Sequence, residues 1–213
     1  MTATTTSQEI QRRLSDVRIV PVTAFDDGDQ AQDTARALIR GGVTCIEVTF
    51  RTAAAAEAIA RAAEIDGLLV GAGTILSVEQ LHSAVEAGAR FGVAPCLNPD
   101  VVAAAQESGL PFFPGVATPT EIDRARELGI DTVKVFPAGL LGGPAFLKAM
   151  AAVYPDVGFI PTGGIDAASA PEYLAIPAVV AVGGSWIAPS DAVRAGRYDE
   201  IAERARRARE ALS

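Results

Sequence analysis

Two short apolar segments each carry an ionisable side chain of a kind a buried strand rarely holds. In Thr132-Val133-Lys134-Val135-Phe136 the middle residue is a lysine. Strand side chains alternate between faces, so Val133 and Val135 share one face while Thr132, Lys134 and Phe136 share the other. Of the 18 basic residues only Lys134 and Lys148 are lysine; the rest are arginine. Arginine stays protonated at any accessible pH and offers no nucleophile, so a lysine kept in a strand is informative. A buried amine is costly unless paired or neutral, and burial disfavours its charged form, which frees a lone pair for attack on a carbonyl. The bland alternative is a structural ion pair. The segment Cys45-Ile46-Glu47-Val48-Thr49-Phe50-Arg51 repeats the pattern, with Ile46, Val48 and Phe50 on one face and Glu47, Thr49 and Arg51 on the other. Glu47 could then move protons beside Lys134, directly or through a water. Arg51, at the end of its strand, could grip a carboxylate with two parallel hydrogen bonds. A surface salt bridge is the competing reading for Arg51, and its phase with Glu47 favours the site.

Two glycine pairs add a second kind of chemistry. Pro161-Thr162-Gly163-Gly164-Ile165 and Val182-Gly183-Gly184-Ser185-Trp186 each follow a strand-like run and precede a helix-like one. Paired glycines let backbone N–H groups approach an anion, and a helix N-terminus adds a favourable dipole. Together they predict a phosphorylated substrate; the alternative is two tight turns. Gly71-Ala72-Gly73-Thr74 offers a hydroxyl and open backbone, or only a capping loop. Cys96, in Val93-Ala94-Pro95-Cys96-Leu97-Asn98, has no base or cation nearby in sequence and is read as a small packing residue; Cys45 and Trp186 are also read as packing. His82, the one histidine, sits in a helical run and is read as solvated. Two cysteines and one histidine exclude a disulfide framework, a thiolate metal site and a histidine-clustered metal centre.

These residues must be positioned by a regular alternation of strand and helix. Candidate strands are Arg18–Val22, Cys45–Thr49, Leu69–Gly71, Phe91–Val93, Phe112–Gly115, Thr132–Phe136, Gly158–Pro161 and Val179–Gly183. Helical runs lie between them, with an initial helix at Ser7–Ser15 and a final one at Asp199–Leu212. Eight strand–helix units predict parallel strands closing into a single (β/α)₈ TIM barrel, one domain over residues 1–213 with an extra N-terminal helix. A doubly wound open sheet is disfavoured because its glycine fingerprint follows the first strand, whereas here the glycine pairs come late. The net charge of −8 argues against nucleic acid, which demands a basic face. No apolar run approaches the ~20 residues of a membrane span, and MTATTTSQEI lacks an apolar signal core, so the chain reads as a cytoplasmic protein with no membrane partner.

Taken in order, EVTFR, GAGT, VKVFPA, PTGGI and GGSW resemble the 2-dehydro-3-deoxy-phosphogluconate aldolase family, whose members often also act as 4-hydroxy-2-oxoglutarate aldolases. The resemblance runs from about Val20 to about Tyr198. It implies a (β/α)₈ barrel assembled as a homotrimer, needing no cofactor or metal. It also implies a Schiff base on Lys134, acid/base work by Glu47, and a pyruvyl carboxylate held by Arg51 and Thr74. Thr162, Gly163, Gly164, Gly184 and Ser185 would hold substrate and its phosphate, with Pro95 and Phe136 completing the pocket. The implied reaction cleaves 2-dehydro-3-deoxy-6-phosphogluconate to pyruvate and glyceraldehyde 3-phosphate. Cleavage of 4-hydroxy-2-oxoglutarate or of the C4 epimer derived from galactonate remains open, as does a sugar-phosphate binding protein without turnover. A metal-dependent epimerase is disfavoured by the single histidine. The chain departs from the family where Cys96 replaces a usual glycine, a change expected to add bulk at the pocket mouth.

Overall fold

The computed structural model describes residues 3–212, with side-chain surroundings from Ser7 onward; residues 1, 2 and 213 of the expected domain lie outside the described residues. Helix α1 (Ala3–Val17) leads into β1 (Ile19–Thr23), α2 (Gly28–Arg40), β2 (Cys45–Thr49), α3 (Ala55–Ala63), β3 (Leu69–Gly73), α4 (Val78–Glu86) and β4 (Phe91–Val93). The chain continues through α5 (Pro99–Glu107), β5 (Phe112–Phe113), β6 (Gly115–Val116), α6 (Pro119–Glu127), β7 (Thr132–Val135) and α7 (Gly143–Val153). It closes with β8 (Gly158–Pro161), α8 (Ala170–Leu174), β9 (Val182–Gly184), α9 (Ser190–Arg194) and α10 (Tyr198–Leu212).

Local chemistry explains where the longer helices begin. Asp27, Ser77 and Asn98 each accept a hydrogen bond from a backbone N–H of the first turn, and Thr118 with Glu121 forms a reciprocal capping box. Such caps satisfy donors that the helix itself leaves orphaned. Prolines at the start of α5, α6 and α7 fit the same place, where no N–H is missed. Each capped start follows a strand within a few residues. Since all the strands run parallel, their C-terminal ends collect at one end of the molecule.

The strands form two hydrogen-bonded groups, β5-β4-β3-β2-β1-β9 and β6-β7-β8. Every residue of β2, β3 and β7 is buried, as expected for parallel strands covered on both faces. The result is a parallel α/β fold with a strongly curled sheet. Isolated parallel bridges join Phe159 of β8 to Val179, ahead of β9, and Thr162, just past β8, to Gly183 of β9.

Two expected strands differ from the observed ones by more than a residue or two at an end. The expected fifth strand, Phe112–Gly115, is split at Pro114 into β5, which pairs with β4, and β6, which pairs with β7. Proline has no N–H to continue a ladder, but its carbonyl still accepts from Lys134 N at 2.9 Å. The expected Val179–Gly183 strand begins as a ladder only at Val182. Its first residues change partners: Val180 N donates to Phe159 O of β8, and Val182 N donates to Arg18 O beside β1. Among the described residues, no helix is long and apolar enough to cross a membrane.

Candidate active site

Lys134 on β7 and Glu47 on β2 belong to different strand groups, so the contact between them spans the space that the curled sheet encloses. Lys134 Nζ donates to Glu47 Oε1 at 3.1 Å. The residues are 4% and 2% exposed, which makes this a buried pair and not a surface one. Breaking such a pair from one side leaves a buried polar group alone, whereas intact it is tolerated. Register places both: Glu47 lies beside Val22 of β1 and Gly71 of β3, while Lys134 lies beside Gly115 of β6 and Ile160 of β8. Val133 and Val135 are fully buried on the opposite face, as alternation requires.

A cavity of about 360 Å³ opens onto this pair, and all eleven residues expected from the sequence line it. Lys134, Glu47 and Thr162 are buried at its floor, while Arg51, Phe136, Gly164 and Ser185 are exposed at its mouth. The Phe136 ring centroid is 5.7 Å from Lys134 Nζ, and the same ring lies close to Gly163. Gly163 and Gly164 have φ of 93° and 74°, backbone that favours glycine, so the turn after β8 could not be made with ordinary residues. This turn is tied to the chain leaving β7 by Ala138 N to Thr162 O and Gly139 N to Gly163 O, both 2.9 Å. Thr162 Oγ1 is buried with no hydrogen-bond partner among the described residues. Thr74 adopts φ of 59°, an outlier for a β-branched side chain, at the point where β3 gives way to the loop.

Three expectations need correction. The glycine turns do not run directly into helices: α8 starts only at Ala170 and α9 at Ser190, and each spans five residues. An Asp166–Ser169 turn occupies the intervening chain after Gly164, so any anion held here meets the turns and not a helix start. Cys96 is exposed and not packed, and it does not line the cavity. The added bulk expected at the mouth therefore points elsewhere. Cys45 is fully buried, and burial, followed by the Glu47 charge, pushes its thiol well above the ordinary range, which makes it a packing group. His82 is exposed on α4, as expected.

The cavity also holds Val22, Thr49 and Ile165, which the sequence reading did not assign to the site. Thr49 was legible in principle, since it shares the face of Glu47 and Arg51; Val22 and Ile165 carry no chemical signal. A further contributor lies behind the carboxylate. A Cβ placed on Gly73 would fall 2.2 Å from Glu47 Oε1 and 2.6 Å from its Cγ. The absence of a side chain there is what lets Glu47 reach the lysine. Gly73→Ala should displace the carboxyl and lower kcat by roughly 100-fold, the scale of a 1 Å misplacement, with a far smaller effect on the thermal melt. Parallel kinetics and melting curves check this.

A larger groove of about 550 Å³ runs along α10 past Trp186, but its carboxylates, Glu200 and Glu203, are already paired with surface arginines. Among the described residues, no three His, Cys, Asp or Glu side chains are grouped so as to hold a metal ion.

Known proteins resemble this chain in sequence and fold. The 2-dehydro-3-deoxy-phosphogluconate aldolase of Treponema pallidum is 50% identical over 189 residues, covering 88% of this chain and 90% of the relative. The crystal structure of the Legionella pneumophila KDPG aldolase, with pyruvate captured as a covalent carbinolamine intermediate, superposes with a TM-score of 0.87 at 37% identity. That match covers 91% of this chain and 95% of the other. The Zymomonas mobilis ZM4 2-keto-3-deoxy-6-phosphogluconate aldolase, solved with 3-phosphoglycerate, gives a TM-score of 0.86 at 39% identity over 94% and 93% of the two chains. Residues 10–204 match the family described as KDPG and KHG aldolase, a span that takes in the amine, the carboxylate and both glycine turns, and the chain belongs to that family.

Proposed function

We propose that the chain is a class I aldolase that cleaves 2-dehydro-3-deoxy-6-phosphogluconate to pyruvate and glyceraldehyde 3-phosphate through a Schiff base on Lys134. The observation that carries this reading is the buried 3.1 Å contact of an amine with a carboxylate at the floor of an open cavity. Lys134 Nζ attacks the C2 ketone to give a carbinolamine, and Glu47 passes the protons that let water leave and the protonated imine form. The imine draws in the electron pair of the C3–C4 bond as the C4 hydroxyl gives up its proton. Glyceraldehyde 3-phosphate departs, and the remaining enamine takes a proton at C3. Water then adds back to the imine carbon, releasing pyruvate and the free amine. One water leaves and one returns, and the C4 proton is balanced by the one delivered to C3.

Around this core, Arg51 and Thr74 hold the carboxylate, and Pro95 and Phe136 shape the walls. Thr162 supplies a hydroxyl that lacks a protein partner among the described residues, a costly arrangement that a polar substrate atom relieves. The turns at Gly163, Gly164, Gly184 and Ser185 take the phosphate, and this remote binding energy positions the reacting bond. We extend the reading to the fold as one closed eight-stranded barrel domain over residues 1–213, supported by the hydrogen bonds that pass from β8 toward β1 through residues 178–184. A homotrimer is what the family resemblance implies, and we place it in the cytoplasm; light scattering tests the assembly.

Cleavage of 4-hydroxy-2-oxoglutarate is retained as a second activity because the family description names KHG beside KDPG. That substrate lacks a phosphate, so it leaves the glycine turns idle. A cleavage assay with the phosphorylated substrate, its C4 epimer and 4-hydroxy-2-oxoglutarate ranks the three. Borohydride with pyruvate should inactivate the protein and leave a covalent adduct on Lys134. A binding protein without turnover would gain no adduct.

A further inference from the structure

Thr49 is 2% exposed and sits two residues beyond Glu47 on β2, against the same cavity as Lys134. Its hydroxyl makes two hydrogen bonds. Thr49 Oγ1 donates to the backbone carbonyl of Thr23, at the end of β1, at 3.0 Å. It accepts from Arg51 Nε at 2.9 Å. A hydroxyl carries one proton, and here that proton is committed to the neighbouring strand. Its lone pairs are therefore turned to Arg51, and the roles of the two contacts cannot be exchanged, since Nε can only donate.

This fixes more than the position of Arg51. A guanidinium can meet a carboxylate along either of two edges, one made by Nε with a terminal nitrogen, the other by both terminal nitrogens. With Nε held by Thr49, the first edge is occupied and the second is left for a ligand. Among the described residues Arg51 makes no ion pair with a carboxylate, although it lines the cavity at its exposed mouth. A long side chain at such a place would otherwise lose rotamer freedom each time it bound, and anchoring Nε beforehand removes part of that loss.

We propose that Thr49 is a positioning residue that selects which edge of the Arg51 guanidinium meets the substrate carboxylate, relaying the placement of β1 to the binding site. The proposal rests on the reading of Arg51 as the carboxylate holder of a 2-oxo acid substrate. Because the carboxylate is unchanged through the reaction, the contact serves ground state and transition state alike, so its loss falls on KM and not on kcat.

The test uses the full chain with Thr49→Val, Thr49→Ser, Arg51→Gln and the Thr49→Val/Arg51→Gln pair. Each is assayed for cleavage of the phosphorylated substrate and for the pyruvate concentration that gives half-maximal borohydride inactivation. Thr49→Val should raise both KM and that pyruvate concentration about tenfold, on the scale of one hydrogen bond to a charged group, with kcat within about threefold. Thr49→Ser, which keeps the hydroxyl, should restore both. In the Arg51→Gln background the valine should add less than about twofold, because the group it acts through is gone. Where the valine variant does not fold, Thr49→Ala takes its place with the same expectations. An unchanged KM in a folded variant, failure of serine to restore it, or effects that multiply independently of Arg51 overturns the proposal. A wild-type chain that pyruvate and borohydride leave untouched overturns the aldolase reading instead.

Discussion

Lys134→Ala should abolish aldol cleavage, lowering kcat by roughly 10⁴-fold or more, the scale reached when the nucleophile of a coupled pair is deleted. The covalent adduct formed by pyruvate and borohydride should vanish with it, and mass spectrometry of the digested protein checks the loss at the residue itself. Lys134→Arg should fare no better, although it keeps the positive charge, because a guanidinium does not surrender a proton to become a nucleophile. That comparison separates an amine needed for bond formation from a cation needed for binding. The alanine variant should also melt earlier. Glu47, 2% exposed in the intact pair, would lose the amine that donates to it at 3.1 Å, and removing one member of a buried pair costs about 3–5 kcal/mol. Replacing both members with apolar residues should recover most of that stability and none of the activity. Melting curves of the single and double variants, set beside their rates, distinguish the two consequences.

Glu47→Gln is the second large effect. The amide preserves the shape of the side chain, and its oxygen can still accept from Lys134 Nζ, so the fold should be little disturbed. It cannot take up a proton and return it, which the dehydration, cleavage and enamine steps each require. A loss of about 10²- to 10⁴-fold in kcat is expected, the usual contribution of a positioned acid/base. KM should change little, because the proposed carboxylate and phosphate contacts lie with Arg51 and the glycine turns. Exchange of the pyruvate methyl protons with solvent deuterium, followed by NMR, isolates the enamine step and should slow in parallel. A glutamine variant that exchanges at the wild-type rate would shift the proton work to another group.

The site was legible in the sequence because strand alternation converts a one-dimensional pattern into a direction. Lys134 and Glu47 could be aimed at a common interior from their neighbours alone, with Arg51 in phase, whereas Thr74, Pro95 and Phe136 entered through the family resemblance; one cavity gathers all six. What stayed hidden depends on pairs of elements. Whether Gly73 leaves room for Glu47 is a question of distance between β3 and β2, set by the Thr49–Gly73 register, and nothing in GAGT states it. The tie from Thr49 to Thr23 likewise needs β1 to lie alongside β2. Pro114 was visible as a proline, yet its splitting of one expected strand into two emerges only once β4 and β7 claim opposite sides of it. The helix-like run expected straight after the first of the late glycine turns starts late because the Asp166 side chain binds the backbone of Ala168 and Ser169 and holds the chain in a turn first.

The left-handed backbone at Thr74 bears on how this protein can be made hardier. A β-branched residue held there costs roughly 1–3 kcal/mol that the rest of the molecule must offset. Glycine or asparagine would relax the bend, so a screen for heat tolerance alone would reward them. Either choice discards the threonine hydroxyl at the rim of the cavity. A lineage bred for endurance would thus be drawn toward erasing part of its own proposed grip on substrate, and only simultaneous selection for turnover would keep the strained residue in place.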